Sequence, residues 1–238
     1  MYPMPTLYVI GTPIGNLSDL SERAKTTLAG VDVILCEDTR VTSKLLNTFD
    51  IHVPTLSYHQ HSGASKTDKI IALLEGGKPG GAGSGLQAGN LALVTDAGTP
   101  GISDPGGKLI EELIAHFGGR LTITPIPGAC ALVAALSIAG VPADEFVFLG
   151  FPPHKRGRQS FFERIHLTHS TVVFYESTHR ILKTLGELHA RMPERRLIVC
   201  RELTKMFETI YRGTATEVTA KLESSSIKGE FVIVVSPL

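Results

Sequence analysis

The sequence has few long apolar runs, few cysteines and no net charge. It lacks any run of roughly eighteen apolar residues, and no basic region precedes its first apolar stretch, so we expect no transmembrane helix, no secretory signal and a cytoplasmic location. Cys36, Cys130 and Cys200 are far apart and have no partners at ligand spacing, so no metal site and no disulfide framework is predicted. Lys plus Arg and Asp plus Glu both total 23, so a nucleic-acid partner would need a local basic patch.

Short apolar runs alternate with segments of helical period in the first half of the chain. This alternation is typical of an α/β fold with a largely parallel sheet. The segment 17–30 is predicted to be a helix with Ser18 or Asp19 as its N-cap. The candidate strands are 7–10, 33–36, 91–94 and 121–124.

The second half is richer in strands, and this change predicts a second α/β domain with a mixed sheet. We therefore divide the chain into domains 1–119 and 120–238, joined closely at Gly118 and Gly119 with a cleft between them. The candidate strands here are 146–151, 171–176, 195–200, 209–213 and 230–235.

The glycine-rich segment 76–90 contains Gly83, Gly85 and Ala88, which match a variant of the dinucleotide-binding fingerprint. That fingerprint requires a strand before it and a helix after it, whereas here a predicted helix precedes and a strand follows. A flexible linker is therefore the favoured interpretation.

Conspicuous motifs follow the predicted strands of the first half. Ligands bind at the carboxyl ends of strands in open α/β sheets. The motif CEDTR (36–40) has two interpretations. It is either an ion pair that begins the next helix, with Asp38 or Thr39 as N-cap, or a phosphate or substrate clamp at Arg40, with Glu37 or Asp38 as a hydrogen-bonding group or a proton-accepting base. The other two motifs are GTPIGNL (11–17) and VTDAGTPGISDPG (94–106).

The segment 94–106 is almost bare of large side chains, so it presents backbone amides and carbonyls, and a helix is predicted to start near Asp104 or Pro105. Such a wall suits a ligand that is read by its edges and by a carboxylate, such as an adenosyl amino acid. TPIPGAC (124–130) precedes a helix of small residues, whose free amides suit an anionic group.

Charged residues also follow strands in the second half. Glu176, His179 and Arg180 in FYESTHRI (174–181) form either a local ion pair with a structural histidine or a catalytic group. Arg201, Glu202 and Lys205 follow the next strand in the same way.

One compact basic cluster lies in the segment 151–165, beside Phe161 and Phe162. It is either a solvated loop or a contact for phosphate groups of RNA. The basic residues are His154, Lys155, Arg156 and Arg158.

Six motifs occur along the chain in the order GTPIGNL, CEDTR, VTDAGTPGISDPG, TPIPGAC, FYESTHRI and KGEFVIVV. In this order they resemble the ribosomal RNA small subunit methyltransferase I family, a branch of the tetrapyrrole methylase superfamily. The resemblance runs nearly from end to end, and only the glycine-rich loop 78–90 is longer than is usual in the family. It implies two α/β domains, S-adenosylmethionine bound between them, a homodimer, and 2'-O-methylation of a cytidine ribose in the decoding region of 16S rRNA.

The resemblance also implies site residues, by transfer to matching positions. Because a ribose hydroxyl is a poor nucleophile, a base or a cation should assist the transfer, and the candidates stay open. The bases are Glu37, Asp38, Glu176 and His179, and the cations are Arg40, Arg180 and Lys205. The residues implied for S-adenosylmethionine are Asp96, Ala97, Gly98, Thr99, Ile102, Ser103, Asp104, Ala129, Cys130, Tyr175, Glu176, Leu203, Thr204 and Gly229.

Two other functions compete with this interpretation. A C-methyltransferase of corrin or sirohaem precursors would share the fold but has no obvious need for the basic cluster. A regulatory module without catalysis would bind the nucleotide and never release S-adenosylhomocysteine.

Overall fold

The structure of the chain is a computed structural model, which describes residues 4–59, 62–76 and 89–238. The chain forms two compact units, Met1–Ala129 and Cys130–Leu238. The division thus lies after Ala129 and not after residue 119, because the strand at Thr122–Ile126 pairs with the first strand of the chain.

The glycine-rich loop is only partly covered by the structure. Gly83, Gly85 and Ala88 lie outside the described residues, so their interpretation as a linker stays a prediction. As expected, a helix ends shortly before this loop, at Leu74, and a strand begins after it, at Asn90.

The first unit is built on one sheet of five strands, and every neighbouring pair is parallel. The order across the sheet is β3-β2-β4-β1-β5. β3 is missing from the sequence prediction, because its three residues are all partly exposed and only Leu56 is a large apolar side chain. The strands are β1 (Thr6–Ile10), β2 (Val33–Cys36), β3 (Thr55–Ser57), β4 (Asn90–Leu93) and β5 (Thr122–Ile126).

Helices cover both faces of this sheet. Successive side chains of a strand point to opposite faces, so neighbouring residues contact different helices. Leu35 packs with apolar residues of α3 and α4, whereas its neighbour Ile34 packs with those of α1 and α2. The helices are α1 (Glu22–Gly30), α2 (Thr39–Thr48), α3 (Ala64–Leu74) and α4 (Gly107–Phe117).

The predicted N-cap of the first helix is wrong. Leu17–Asp19 form a separate 3-10 turn, and α1 begins only at Glu22. The hydroxyl of Ser21 accepts a hydrogen bond from the amide of Ala24 at 3.1 Å, so Ser21 is the cap, not Ser18 or Asp19.

The second unit is built on a mixed sheet of five strands in the order β6-β7-β10-β8-β9. β6 and β7 are parallel, and the other neighbours are antiparallel. The predicted α/β class, with a parallel first sheet and a mixed second sheet, is confirmed. The strands are β6 (Phe146–Phe148), β7 (Thr171–Ser177), β8 (Leu197–Arg201), β9 (Thr209–Gly213) and β10 (Glu230–Val235).

Four helices flank the mixed sheet. Three of them pack with β7, β8 and β10 in one continuous core around Phe162, Phe174 and Phe231, while α5 contacts β7 and β10. The helices are α5 (Ala131–Ala139), α6 (Arg158–Leu167), α7 (Ile181–Arg191) and α8 (Ala215–Glu223). Over the described parts of the chain, none of the helices has the length and apolarity needed to span a membrane.

Candidate functional site

The carboxyl ends of β1, β2, β4 and β5 meet at one edge of the first sheet, here called the first edge, because these strands are parallel. The strand order places the turn after β2 beside the turn after β4, and the turn after β4 beside the turn after β1. Open α/β sheets bind their ligands at this edge. The sequence motifs therefore converge as expected.

Thr12 links the turn after β1 to the turn after β4 by hydrogen bonds. Its amide donates to the carbonyl of Gly98 at 2.8 Å, and the amide of Gly98 donates back at 3.2 Å. Its buried hydroxyl donates to the carbonyl of Thr95 at 3.1 Å. The sequence analysis did not identify Thr12; a hydroxyl two residues after the end of a strand was the available signal.

The turn after β4 has an unusual backbone that presents its main chain. Gly98, Gly101 and Gly106 have φ values of 94°, 82° and 137°, and Ser103 has a φ of 61°. The helix predicted to start near Asp104 or Pro105 starts at Gly107, since the φ of Gly106 is not helical. Four residues implied for the cofactor are exposed here: Asp96, Ala97, Ile102 and Ser103.

Hydrogen bonds connect this turn to both of its neighbours. The carboxylate of Asp96 accepts from the amide of Asp38 at 3.1 Å, and the hydroxyl of Thr99 donates to the carbonyl of Ala129 at 3.2 Å. The structure thus brings together residues implied for the cofactor from the turns after β4 and β5. Cys130 is the N-cap residue of α5 and is partly buried.

Two carboxyl groups of the first edge have raised pKa values. Burial, followed by the charge of Glu37, raises the pKa of Asp104 from 3.8 to about 6, although the Thr95 hydroxyl lowers it in part. Burial and the charge of Asp96 also raise the pKa of Glu37 above its usual range. The Thr95 hydroxyl lies 3.5 Å from a carboxylate oxygen of Glu37. Perturbed carboxyl groups of this kind are typical of functional sites.

Asp38 and Arg40 form the ion pair that was one interpretation of CEDTR. The guanidinium of Arg40 makes a bidentate contact with the Asp38 carboxylate, and the shortest distance, between Nη2 and Oδ2, is 2.5 Å. Asp38 also accepts from the Arg40 amide at 2.8 Å, which confirms it as the N-cap of α2. Hydrogen bonds from the Arg40 side chain and backbone lower the pKa of Asp38 to about 2. Asp38 is therefore a weak base, and the exposed Arg40 is already paired.

The second sheet also collects implied residues at one edge, here called the second edge. β10 is antiparallel to β7 and β8, so its beginning lies beside the ends of both strands. The Thr178 hydroxyl accepts from the amide of Gly229 at 2.7 Å, and the Glu202 carboxylate accepts from the amide of Glu230 at 2.8 Å. The sequence pointed to Glu202 only as a charged residue after a strand, and it gave no indication of Thr178, because the strand pairing that reveals their position is not visible in the sequence.

The turn after β8 is strained. Glu202 and Thr204 adopt positive φ values of 54° and 66°, which non-glycine residues rarely adopt. The Thr204 hydroxyl is buried and has no hydrogen-bond partner among the described residues, and Leu203 is buried beside it. The ammonium of Lys205 contacts the carboxylates of Glu202 at 3.0 Å and Glu230 at 2.9 Å, so its charge is paired.

The candidate catalytic residues of FYESTHRI differ in burial and in hydrogen bonding. The Glu176 side chain is fully buried and lies 2.9 Å from the Nε of Arg180. It also accepts from the Thr184 hydroxyl at 2.6 Å, so it is a structural acceptor rather than an available base. His179 is exposed in the following turn, and Tyr175 is partly buried at the end of β7.

The basic cluster is not uniform. His154, Lys155 and Arg156 are exposed, as a nucleic-acid contact requires. Arg158 is only 5% exposed: it pairs with Glu187 at 2.6 Å and its guanidinium lies over the Phe162 ring. Its burial and its pairing with Glu187 disfavour Arg158 as an RNA contact, because its charge is neutralised in the interior.

Two of the three cysteines lie in the interior. Cys36 and Cys200 are buried, and burial raises the pKa of both thiols. Within the ranges 4–59, 62–76 and 89–238, no group of three or more histidine, cysteine or acidic residues is arranged to hold a metal ion.

Comparison with solved structures supports the fold. The chain is similar to a cobalt precorrin-4 methyltransferase, with a TM-score of 0.65, 16% identity, and coverage of 97% of this chain and 94% of the other. It is similar to a diphthine synthase with a TM-score of 0.67, 12% identity, and coverage of 98% and 90%. At these identities the likeness concerns the fold alone.

Comparison of sequences defines the family. Residues 6–219 match the family of Tetrapyrrole (Corrin/Porphyrin) Methylases. A protein of Synechocystis, Ribosomal RNA small subunit methyltransferase I, is 44% identical over 98% of this chain and 79% of its own length. The protein of that name in Bacillus subtilis is 40% identical over 98% of this chain and 75% of its own length. The chain belongs to the ribosomal RNA small subunit methyltransferase I family within the tetrapyrrole methylases.

Proposed function

We propose that the protein transfers the methyl group of S-adenosylmethionine to the RNA of the small ribosomal subunit. The observation that carries this proposal is the 40–44% identity, over nearly the whole chain, to proteins named for that activity. Its membership of a methylase family supports S-adenosylmethionine as the methyl donor.

The proposed acceptor is the 2'-oxygen of a cytidine ribose in the decoding region of 16S rRNA, as the motif resemblance implies. The exposed cations Lys155 and Arg156 support an RNA substrate, because the chain has no net charge that would attract one. A homodimeric assembly and a cytoplasmic location remain predictions.

The residues of each edge fit the chemistry of S-adenosylmethionine, which combines an adenosyl group, an amino acid and a sulfonium cation. At the first edge, Ala97, Ile102 and Ser103 are exposed, and the carboxylates of Asp96 and Asp104 suit a cation. At the second edge, the unpartnered Thr204 hydroxyl has the character of a group that awaits a ligand. We propose that these residues contact the cofactor, together with Gly98, Thr99, Ala129, Cys130, Tyr175, Leu203 and Gly229.

The bound cofactor supplies a methyl group that is already activated by its sulfonium, so the protein's task is to orient the acceptor and receive a proton. Among the candidate bases, Glu37 is favoured. It is partly exposed at the first edge, and its raised pKa makes its ionised form a better proton acceptor than Asp38, whose carboxylate is held by Arg40. Glu176 is buried in its own ion pair and is not favoured.

The experiment incubates the purified chain with tritiated S-adenosylmethionine and either unmodified small subunits or free 16S rRNA. Alkaline hydrolysis then maps the product, since a 2'-O-methyl group blocks cleavage at its own nucleotide. We expect one protected cytidine in the decoding region and release of S-adenosylhomocysteine. Methylation of a corrin or sirohaem precursor with none on RNA would favour the tetrapyrrole function. Binding of S-adenosylmethionine without turnover would favour a regulatory module.

A further inference from the structure

The loop between β6 and α6 is anchored at two successive carbonyl groups. The guanidinium of Arg180 donates to the carbonyl of Pro152 at 2.7 Å, and that of Arg158 donates to the carbonyl of Pro153 at 3.2 Å. Both arginines come from the ends of helices in the same unit. These two hydrogen bonds anchor the chain at both prolines, whereas residues 154–157 are exposed.

A buried network holds the two arginines in turn. The Thr184 hydroxyl accepts from Arg158 at 2.8 Å and donates to Glu176 at 2.6 Å, and Glu176 pairs with Arg180. Glu187 completes the network by pairing with Arg158. Removing one partner from such a buried ionic network is costly, so the network should resist displacement of the two arginines and of the loop that they anchor.

Phe151 projects from the start of this loop and is half exposed, at 50%. Gly150 turns the chain with a φ of 64°, and its carbonyl accepts from the amide of Tyr175 at 2.8 Å. The Phe151 ring then packs on the Tyr175 ring at 5.4 Å, and the Tyr175 ring packs edge-on against Phe148 at 5.1 Å. Phe151 is therefore an oriented aromatic surface, supported from beneath and still open to solvent.

The charges beside Phe151 are available for a partner. Lys155 and Arg156 are exposed, and neither has an ion-pair partner among the residues described by the structure. Aromatic rings that stack on bases, next to cations that contact phosphates, are how proteins bind single-stranded nucleic acid. A partner of purely apolar character would leave these two cations without a counter-charge.

We propose that Phe151, Lys155 and Arg156 form a binding surface for single-stranded rRNA, in which Phe151 stacks on a base and the two cations contact phosphates. This inference rests on the proposed function, since it assumes an RNA substrate. The sequence suggested only phosphate contacts in this loop. The inference adds Phe151 as a residue that contacts a base. The buried network of Glu176, Arg158 and Thr184 holds this surface in place.

The test measures binding of an unmodified RNA fragment of the 16S decoding region over a range of salt concentrations. Stacking is insensitive to salt, so Phe151→Leu should weaken binding about tenfold at every salt concentration and leave the salt slope unchanged. Phe151→Tyr should restore binding. Lys155→Ala combined with Arg156→Ala should instead reduce the slope by about 1.4, as expected for the loss of two phosphate contacts on a single strand.

The matched control is Phe146→Leu, which changes another partly exposed phenylalanine of the same unit, one that lies outside the loop. It should bind RNA as the wild type does. Each variant is checked for S-adenosylmethionine binding by calorimetry, so that a folding defect is recognised. RNA binding by Phe151→Leu at the wild-type level would overturn the inference. A changed sedimentation coefficient of this variant would also overturn it, because the ring would then belong to a contact between copies of the chain.

The methylation assay separates this inference from the function on which it rests. Failure of the wild-type protein to methylate any RNA contradicts the proposed function itself. Normal methylation by the wild type together with an unchanged RNA affinity and KM in Phe151→Leu contradicts only the role of Phe151.

Discussion

Gly11 and Gly128 approach each other so closely at the first edge that a Cβ atom on Gly128 would lie 2.5 Å from the carbonyl oxygen of Gly11. The neighbouring atoms belong to the backbone and not to a flexible side chain. This approach joins the turn after β1 to the turn after β5. The first of these turns leads towards α1, and the second carries the implied site residues Ala129 and Cys130.

The first prediction concerns this contact. Gly128→Ala should lower the free energy of unfolding by about 1–3 kcal/mol, because the methyl group forces two backbone segments apart. Urea unfolding followed by circular dichroism measures the change. Gly186→Ala is the matched control: it lies inside α7 with nothing within 4 Å of its added Cβ, so it should stabilise the protein by roughly 0.5–1 kcal/mol. Equal effects of the two substitutions would contradict the tight approach.

The second prediction concerns Asp104, whose pKa is raised from 3.8 to about 6 in the folded protein. Between these values the folded state binds more protons than the unfolded state, so the stability of the wild type should fall as the pH rises from about 4 to about 6. Above pH 6 the ionised carboxylate destabilises the fold. Asp104→Asn should therefore raise the free energy of unfolding by about 3 kcal/mol at neutral pH and have little effect near pH 4.

Urea unfolding at several pH values without S-adenosylmethionine measures this dependence. Asp68→Asn, at an exposed position of α3 in the same unit, is the control and should leave the pH dependence unchanged. A gain from Asp104→Asn that persists undiminished at pH 4 would show that the side chain acts by something other than titration.

Elements with strong local signals could be predicted from the sequence. The predicted strands 33–36, 209–213 and 230–235 coincide with β2, β9 and β10, because turn-forming or charged residues bound each apolar or β-branched run. The boundary between the units could not be predicted in the same way. It depends on the pairing of β5 with β1, a contact between segments that are distant in the sequence, whereas Gly118 and Gly119 offered only a local break.

The sequence predicted which turns meet at the first edge. It did not predict which side chains face solvent and which turn inward. The strand ends and the glycines of the turn after β4 converge as the motifs suggested. Within 154–158, however, three basic side chains face solvent and Arg158 turns inward, and the sequence has no signal that distinguishes them. Glu187, the partner that neutralises Arg158, lies on another helix, so only the packing of α6 against α7 reveals the pair.

The third prediction concerns Glu37 as the base. Glu37→Gln removes the proton acceptor and should lower kcat for RNA methylation by about a hundredfold or more. The affinity for S-adenosylmethionine should change little. In the wild type, kcat should fall on the acid side as Glu37 becomes protonated, and because its pKa is raised this fall should occur above the usual range of a glutamate.

Single-turnover kinetics across a pH series separates this chemical step from product release. Glu22→Gln, at an exposed position at the start of α1, is the control and should keep the wild-type profile. Retention of kcat within a fewfold in Glu37→Gln, with the acid limb still present, would assign the proton transfer to another group.

The fourth prediction distinguishes structural from RNA-binding arginines within one loop. Arg158→Ala leaves the Glu187 carboxylate without its partner and the Pro153 carbonyl without its donor, so it should lower the free energy of unfolding by about 3–5 kcal/mol. Arg156→Ala, two residues away and exposed, should change it by no more than about 0.5 kcal/mol while weakening RNA binding. Urea unfolding and RNA titration of the two variants side by side provide the comparison. If Arg158→Ala unfolded at the same urea concentration as Arg156→Ala but bound RNA more weakly, Arg158 would be an RNA contact after all, and the network could not be what holds the loop.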